Sequence, residues 1–270
     1  MIIWIASYPK SGNTWVRALL TNYILKKTTN ILDDISNIKK FPKKEMFEGI
    51  LDKKFSEKDR LELFKYFIPA QKKINQNNKL NILKTHSFGG SINNFPFTDS
   101  NNTCGAIYLI RDPRSVAVSY AYHANISFEK SVDLLFNEKR ISFNDEIYPE
   151  ARFSWTMHAQ SWINSSWPKI VIKYEDLHND TFNNFKSILI FIRKFIKFEI
   201  EDQKIKKTID ICSFKNLSKE ESKSGFKEKT GNENFFRKGE IDEWKKILPK
   251  NLINKIEQKF EKEMKELNYL

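Results

Sequence analysis

The chain has 270 residues, of which 40% are hydrophobic and 22 are phenylalanine, so it can bury a sizeable core. No apolar run approaches the roughly 18 residues of a membrane-spanning helix, and we expect no signal peptide because a strand-like stretch begins at Ile2. Two cysteines are too few for a disulfide framework and favour a reducing cytoplasm.

The formal net charge of +12 admits nucleic acid, a membrane surface or a polyanionic substrate as partners. Lysine, asparagine, isoleucine and phenylalanine are abundant together, which indicates a compositional bias rather than a dedicated binding surface. We therefore expect most lysines to be solvated, and neither nucleic acid nor a membrane as a partner. Nothing in the sequence predicts the oligomeric state.

The first 20 residues combine a strand, a glycine-containing loop and a helix. Residues 2–6 are short, apolar and β-branched, which predicts a buried strand. The turn that contains Gly12 leads into a helix predicted over residues 14–27. In this arrangement the unpaired N–H groups and the dipole of the helix favour an anion, so we expect a phosphorylated ligand.

The loop departs from the Walker A pattern of nucleoside triphosphatases. Gly12 and Thr14 fit that pattern, but Asn13 stands in place of its lysine and Ser7 in place of its first glycine. The lysine of this loop, Lys10, lies earlier in the loop and would reach a different point along a bound phosphate chain. These departures favour a ligand other than a triphosphate, and a plain polar cap on the first helix is the structural alternative.

Strand-like and helix-like segments alternate along the rest of the chain, which favours one α/β domain over residues 1–270, with a central parallel sheet flanked by helices. Strands are predicted over residues 81–84, 105–110 and 169–174, and helices over residues 56–67 (with Ser56 and Asp59 resembling a capping box), 113–124 (with Asp112 as cap and Pro113 first), 128–138, 152–164, 181–196, 201–211 and 251–267.

The segments between these elements have separate expected roles. Residues 28–80 and 87–103 give weaker signals and are expected to shape an acceptor site, and residues 144–149 are predicted to be loop. Residues 218–233 are polar and contain two glycines, which predicts a mobile loop or lid. The amphipathic helix at residues 251–267 is expected to pack onto the domain rather than to bind a partner.

Polar residues follow all four predicted strands. Parallel α/β sheets bind ligands at the carboxyl ends of their strands. We therefore expect one site built from these strand ends: the loop around Lys10, residues 84–86, residues 111–112 and residues 174–176.

Residues 8–15, Tyr-Pro-Lys-Ser-Gly-Asn-Thr-Trp, resemble the 5′-phosphosulfate-binding loop of the sulfotransferases that use 3′-phosphoadenosine 5′-phosphosulfate (PAPS). The resemblance implies that Lys10 contacts the 5′-phosphosulfate and that Trp15 packs on the adenine. The family more often has threonine at the position of Asn13, and both side chains can donate a hydrogen bond to phosphate. The cofactor residues implied in this loop are Lys10, Ser11, Gly12, Asn13, Thr14 and Trp15.

Two further segments resemble the family's 3′-phosphate motifs. The first implies that Arg111, whose planar guanidinium suits phosphate, and Ser119 hold the 3′-phosphate. The second, residues 235–239, implies that donors from Arg237, Lys238 and the Gly239 amide join them. Residues 242–245 read Asp-Glu-Trp-Lys where the family has Gly-Asp-Trp-Lys, so the local turn differs. The positions that contact adenine in the family are matched by Tyr174, Ser213 and Phe214.

Lys84, Thr85 and His86 resemble the family's catalytic segment. The resemblance implies that His86 is the general base, a task that suits imidazole, and that Lys84 and Lys10 support the transferring group. The remaining histidines, which lie in predicted helices or loops, are expected to be structural: His123, His158 and His178. No carboxylate or Cys/His cluster has metal-ligand spacing, so no metal is expected.

The resemblance covers residues 2–245 and implies a P-loop-like fold with PAPS as sulfuryl donor. The acceptor would be a hydroxyl or amine of a small molecule or glycan, and the sequence does not identify it. One alternative is a P-loop kinase that uses ATP and magnesium, against which Asn13 and the Arg111/Ser119 pair count. Another is a basic nucleic-acid-binding module, which predicts clustered basic residues with exposed aromatic ones.

Overall fold

The structure is a computed structural model that describes residues 1–25, 30–51, 61–143 and 149–270. Its strands are β1 (Ile2–Ser7), β2 (Asn81–Thr85), β3 (Ser91–Ile92), β4 (Phe95–Pro96), β5 (Thr103–Ile110), β6 (Ile141–Ser142), β7 (Glu150–Ala151) and β8 (Lys169–Lys173). Its α-helices are α1 (Asn13–Ile24), α2 (Ile31–Asp34), α3 (Phe67–Asn75), α4 (Pro113–Ala124), α5 (Phe128–Phe136), α6 (Trp155–Ile163), α7 (Tyr174–Asn179), α8 (Thr181–Arg193), α9 (Asp202–Ile211), α10 (Phe214–Ser224), α11 (Trp244–Ile247), α12 (Lys250–Lys259) and α13 (Glu261–Glu266).

The central sheet has four strands in the order β2-β1-β5-β8. Strand β1 pairs in parallel with β2, where Ala6 lies opposite Thr85, and with β5, where Ser7 lies opposite Leu109. The carboxyl ends of these three strands therefore lie at one edge of the sheet. Because β1 has neighbours on both sides, all six of its residues are buried, which explains its unbroken apolar run. The predicted α/β class, a parallel sheet flanked by helices, is confirmed.

The chain divides into two compact units. The first comprises Met1–Tyr8, Ile38–Leu109 and Asn137–Val171, and contains most of the sheet together with α3 and α6. Aromatic rings fill its core, with Trp4 5.5 Å from Phe41 and 5.0 Å from Phe97 between ring centroids. A single domain over residues 1–270 stays a prediction.

The second unit comprises Pro9–Asn37, Ile110–Phe136 and Ile172–Leu270 and is helical. The predicted tail helix over residues 251–267 is two helices, α12 and α13, separated at Phe260. The side chains of Ile256, Phe260 and Met264 are buried, and the Phe260 ring meets Phe136 edge-on at 5.2 Å. The tail thus packs within its own unit, as expected.

Helix α4 begins and ends as predicted, with Pro113 in its first turn and the Asp112 side chain accepting a hydrogen bond from the Arg114 N–H. The predictions for α5, α6 and α8 extend two or three residues beyond one or both ends of each helix. Residues 91–96, within the weakly patterned segment 87–103, form the short β3–β4 pair. The capping box at Ser56 and Asp59 and the loop at residues 144–148 lie outside the described residues, as do residues 26–27 of the first predicted helix.

Two predictions are wrong. Residues 218–224 belong to helix α10, because the Glu221 carboxylate is buried and accepts hydrogen bonds from the backbone of Phe235 and Phe236, a tertiary contact that local polarity does not reveal. Tyr174 begins helix α7 instead of ending a strand, and the acidic residues that follow it suit a helix N-terminus.

The helix predicted over residues 56–67 is described only in part. Residues 56–60 lie outside the described residues, Glu62–Tyr66 form a 3₁₀-helix, and Phe67 begins helix α3.

Candidate functional site

The loop after β1 passes through two residues with left-handed backbone, Lys10 (φ 70°) and Gly12 (φ 94°). A Cβ atom on Gly12 would lie 2.7 Å from Cδ2 of Tyr174, so only glycine fits. The Ser11 hydroxyl is buried and has no hydrogen-bond partner among the described residues, which leaves it available to a bound group. The loop ends at the N-terminus of α1, where unpaired N–H groups favour an anion.

Arg111 joins this loop to the end of β5. Its Nη1 donates a hydrogen bond to the carbonyl oxygen of Lys10 at 3.2 Å, and its Nη2 donates to that of Glu240 at 2.9 Å. The guanidinium carbon lies 4.1 Å from the centre of the Tyr174 ring. Within the described part of the chain, no acceptor bonds its buried Nε. Three of the four predicted strand ends therefore contribute to one cluster in the second unit.

The residues predicted to contact adenine lie next to one another in the same unit. Trp15 meets Tyr174 edge-on at 6.0 Å, and its Nε1 donates to the carbonyl oxygen of Cys212 at 3.1 Å. The Tyr174 hydroxyl donates to the carbonyl oxygen of Gly239 at 3.1 Å, and a Cβ atom on Gly239 would lie 2.6 Å from the Phe214 ring. Ser213 caps α10, since its Oγ accepts from the Asn216 N–H. Trp15 and Tyr174 are thus in direct contact, and Gly239 lies between Tyr174 and Phe214.

Lys10, Ser119 and Arg237 line one small cavity of about 20 Å³. The Phe235 ring centre lies 3.9 Å from the Lys10 Nζ at this cavity. The other lining residues are Tyr122, His123, Lys229, Glu233 and Asn234. Residues from both predicted 3′-phosphate motifs and from the loop after β1 therefore share one opening.

Glu243 holds the two cations that were predicted to meet the 3′-phosphate. The Arg237 guanidinium donates hydrogen bonds to both oxygens of Glu243, and the Lys238 Nζ lies 3.1 Å from its Oε1. Arg237 also stacks over the Tyr122 ring at 4.0 Å. About half of the Lys238 side chain is exposed.

The pKa of Lys10 is lowered from 10.5 to about 7, mainly by burial and secondly by the charge of Arg111. The carboxylates of Glu228 and Glu221 act in the opposite direction. Near neutral pH this lysine is therefore partly deprotonated, and an anion bound beside it would raise its pKa.

Arg17 and Glu228 were missed by sequence reasoning. The Arg17 side chain is 1% exposed, and its Nε donates to Oδ1 of Asn13 while its Nη2 donates to Oγ1 of Thr14, each at 3.0 Å. The Glu228 carboxylate accepts from Arg17 at 2.8 Å and from the Thr14 hydroxyl at 3.3 Å. Helical spacing of three and four residues could have placed Arg17 beside this loop. No sequence signal marks Glu228.

His86 lies in the first unit, directly after β2. Its Nδ1 is 2.9 Å from the carbonyl oxygen of Ser7 and 3.2 Å from the Ser7 hydroxyl. A carbonyl oxygen only accepts hydrogen bonds, so Nδ1 carries the ring proton and Nε2 holds a lone pair. This tautomer is the one that a base acting through Nε2 needs.

Burial lowers the pKa of His86 well below 6.5. The charge of Glu150 opposes this shift, whereas those of Lys84, Lys40 and Arg152 reinforce it. The imidazole is consequently neutral at physiological pH. Lys84 itself is buried, and its backbone pairs with the strand-like segment around Lys40.

Glu150 is a buried carboxylate that no sequence pattern pointed to. It accepts hydrogen bonds from the Lys40 Nζ at 3.1 Å and from the Arg152 Nη2 at 2.6 Å. Burial alone would raise the pKa of this carboxyl, but the charges of Lys40 and Arg152 hold it below its usual range. The ion pairs keep Lys40 and Arg152 fixed near His86.

One of the other histidines fits a structural role. His158 is buried, donates from Nε2 to the His86 carbonyl oxygen at 3.2 Å and accepts from the Tyr108 hydroxyl at 3.0 Å, and burial lowers its pKa to about 3. His178 is exposed. His123, in contrast, lines the cavity that contains Lys10, which its position in a helix gave no reason to expect.

Within the described residues, no helix has both the length and the apolar character that crossing a bilayer requires. The same ranges contain no group of three or more His, Cys, Asp or Glu side chains arranged to hold a metal ion.

The sulfotransferase domain family matches residues 2–268. Cytosolic sulfotransferase 6 of Arabidopsis thaliana is 25% identical over 277 residues, which cover 94% of this chain and 76% of the relative. Flavonol 3-sulfotransferase of Flaveria bidentis is 26% identical over 267 residues, covering 95% and 79%. Mouse sulfotransferase SULT7A1 complexed with PAP superposes with a TM-score of 0.63 at 19% identity, covering 98% of this chain and 84% of that one. The chain therefore belongs to the sulfotransferase domain family and is an enzyme of that class.

Proposed function

We propose that the protein transfers the sulfuryl group of PAPS to a hydroxyl group of a small-molecule acceptor. The observation that carries this proposal is the cluster in which Arg111, at the end of β5, donates a hydrogen bond to Lys10 in the loop after β1. A molecule with phosphate groups at two positions of its ribose needs cations from more than one segment, and this cluster supplies them from two, Lys10 after β1 and Arg111 after β5.

The second unit contains a donor set that fits this cofactor. The unpartnered Ser11 hydroxyl and the N-terminus of α1 suit a 5′-phosphate, and the buried Arg111 Nε suits an anionic oxygen. The residues that would hold PAPS are Lys10, Ser11, Gly12, Asn13 and Thr14 at the 5′-phosphosulfate, Arg111, Ser119, Arg237, Lys238 and Gly239 at the 3′-phosphate, and Trp15, Tyr174, Ser213 and Phe214 at the adenine.

His86 is the proposed general base, which accepts the acceptor's hydroxyl proton on Nε2. Bound PAPS supplies a sulfuryl group whose S–O bond to the 5′-phosphate breaks as the acceptor oxygen attacks in line. The ammonium groups of Lys10 and Lys84 neutralise the negative charge that develops in this step. A neutral imidazole with its proton fixed on Nδ1 is ready to act at physiological pH.

The names of the relatives support a small phenolic acceptor and a cytoplasmic location. One is a flavonol 3-sulfotransferase and another is a cytosolic sulfotransferase. An amine or a glycan hydroxyl is the alternative acceptor, since the same base chemistry applies to it.

The cofactor assignment is tested by thermal stabilisation, because a ligand that binds only the folded state raises the melting temperature. We expect adenosine 3′,5′-bisphosphate to stabilise the protein selectively. Stabilisation by ATP with magnesium instead would indicate a kinase, and stabilisation by an oligonucleotide alone would indicate a nucleic-acid-binding module.

The reaction is tested by incubating the protein with PAPS and a panel of flavonols, simple phenols, aliphatic alcohols, amines and oligosaccharides. Mass spectrometry should detect a product heavier by one sulfuryl group, together with adenosine 3′,5′-bisphosphate. Sulfation of oligosaccharides without sulfation of any phenol would overturn the assignment of the acceptor class while leaving the donor in place.

A further inference from the structure

We propose that Glu228 is a built-in competitor of the cofactor and that Arg17 is an additional binding residue for the cofactor's 5′-phosphate. In this view the Glu228 carboxylate occupies the anion position between Thr14 and Arg17, and the 5′-phosphate takes its place. The inference rests on the proposed function, because it concerns the same PAPS site.

The anion position is defined by contacts to the first turn of α1. The Glu228 carboxylate accepts hydrogen bonds from the Arg17 Nη2 at 2.8 and 3.0 Å and from the Thr14 hydroxyl at 3.3 Å. Guanidinium and hydroxyl groups bind carboxylate and phosphate oxygens through the same geometry. The position thus accepts either anion, and Thr14 is already expected to contact the 5′-phosphate.

Arg17 is built into the helix as a fixed cation. Its side chain is 1% exposed, and the hydrogen bonds to Asn13 and Thr14 hold the guanidinium in one orientation. A charge buried to this extent requires a partner of opposite sign. Glu228 provides that partner here, and a phosphate, with its larger negative charge, is a stronger one.

The position of Glu228 in its loop allows it to leave. The loop is closed at its base, where the Glu221 carboxylate accepts from the N–H groups of Phe235 at 2.6 Å and Phe236 at 2.9 Å. Glu228 lies between these anchors, and 30% of its side chain is exposed. Near it, the Thr230 hydroxyl donates to the His123 carbonyl oxygen at 2.8 Å. The carboxylate can therefore withdraw into solvent while the base of the loop stays in place.

The charge of Glu228 also acts on Lys10, whose pKa it raises. A phosphate in place of this carboxylate would also stabilise the Lys10 ammonium, and more strongly because it carries a larger negative charge. When a tethered group competes with a ligand, the apparent dissociation constant equals the intrinsic one divided by the fraction of molecules in which the site is open. If one molecule in ten is open, neutralising Glu228 improves cofactor affinity about ten-fold.

The test compares two ligands and two matched variants by isothermal titration calorimetry. Adenosine 3′,5′-bisphosphate carries the 5′-phosphate, and adenosine 3′-phosphate lacks it. Glu228→Gln removes the proposed competitor. Glu266→Gln is the control, because it removes the same charge from an exposed residue of helix α13 that does not line the cavity around Lys10.

We expect Glu228→Gln to bind the bisphosphate about ten-fold more tightly and the 3′-phosphate as the unchanged protein does, with no gain for Glu266→Gln. The double variant Arg17→Lys/Glu228→Gln should bind the bisphosphate more weakly than Glu228→Gln does, with no change in its affinity for the 3′-phosphate. Melting curves show whether this double variant is folded. Glu228→Ala serves as a second removal of the carboxylate.

Three results would overturn the inference while the proposed function stands. The first is an unchanged affinity of Glu228→Gln for the bisphosphate, and the second is an equal gain for both ligands. The third is an equal gain in Glu266→Gln, which would reduce the effect to overall charge. If neither the unchanged protein nor any variant binds the bisphosphate, the proposed function fails together with the inference.

Discussion

The Nδ1 atom of His86 lies 2.9 Å from the carbonyl oxygen of Ser7, so the ends of two neighbouring strands are joined through an imidazole ring. The parallel pairing that sets Ala6 opposite Thr85 brings these two residues within reach. Because a backbone carbonyl fixes the ring proton, no side-chain substitution removes this orienting acceptor. The tautomer of His86 therefore depends on the sheet register itself.

His86→Ala should lower kcat by about 10²- to 10⁴-fold, the range expected for loss of a general base. Its affinity for adenosine 3′,5′-bisphosphate should stay unchanged, since the proposed cofactor residues belong to the second unit. Steady-state kinetics and calorimetry measure the two effects separately. His178→Ala is the matched control, and comparable losses of kcat in both variants would contradict the assignment of the base.

The pH profile gives a second prediction for His86. Burial lowers its pKa well below 6.5, and a base is active in its neutral form, so its activity is lost only when pH falls below that lowered value. We expect kcat to show no acid limb near pH 6.5. A limb centred at the ordinary histidine pKa would mean that the base is another group or that His86 is solvated during turnover.

Lys10 should take up a proton when the cofactor binds. Its pKa in the free protein is about 7, and a bound anion raises it, so the lysine is neutral above pH 7 before binding and charged afterwards. The dissociation constant of the bisphosphate should rise as pH increases above 7, by at most about ten-fold per pH unit. Calorimetry at pH 8 in two buffers with different ionisation enthalpies detects the proton, and Lys10→Met should abolish the difference.

Ser119→Ala should weaken binding of the bisphosphate by about ten-fold, the value of one hydrogen bond to a charged group. Affinity for adenosine 5′-phosphate should not change, because Ser119 is assigned to the 3′-phosphate. Ser115→Ala is the control from the same helix, since the Ser115 hydroxyl already donates to the Ile241 carbonyl oxygen at 2.6 Å. Equal losses for both ligands in Ser119→Ala would refute the assignment.

Gly12→Ala should destabilise the protein by about 1–3 kcal/mol and abolish bisphosphate binding, since it combines backbone strain with a clash against Tyr174. Gly49→Ala has similar strain (φ 69°), but only the end of the Lys73 side chain, 3.9 Å away, is near its Cβ. That control should lose stability and keep binding. Thermal melts with and without the bisphosphate distinguish the two, and binding by Gly12→Ala would show that the loop tolerates a displaced Tyr174.

Strong local patterns made most of the fold predictable. The unbroken apolar run of β1 and the Asp-Pro cap of α4 specify their elements through nearby residues alone. Helix α10 was missed because Glu221, a polar residue in a polar segment, is buried by hydrogen bonds to residues 14 and 15 positions later in the chain. Contacts of that kind have no local signature.

The residues of the site also divide into those that short motifs predict and those that only tertiary contacts reveal. Lys10 and Arg111 were predicted from short motifs, and the structure brings them into contact. Their individual roles in binding and catalysis stay predictions. Glu150 and Glu228 were not predicted, since each is an isolated acidic residue in a chain with many charged residues. Lys40 and Arg17 come from distant segments and give Glu150 and Glu228, respectively, a position that local sequence does not reveal.

The backbone of Lys10 has a φ of 70°, a region that glycine enters without penalty and other residues enter at a cost of about 1 kcal/mol or more. Lys10→Gly should therefore melt at a higher temperature than the natural protein while losing its affinity for the cofactor. Selection for thermal stability alone would therefore favour glycine at this position. The role proposed for Lys10 would be maintained at a cost in stability.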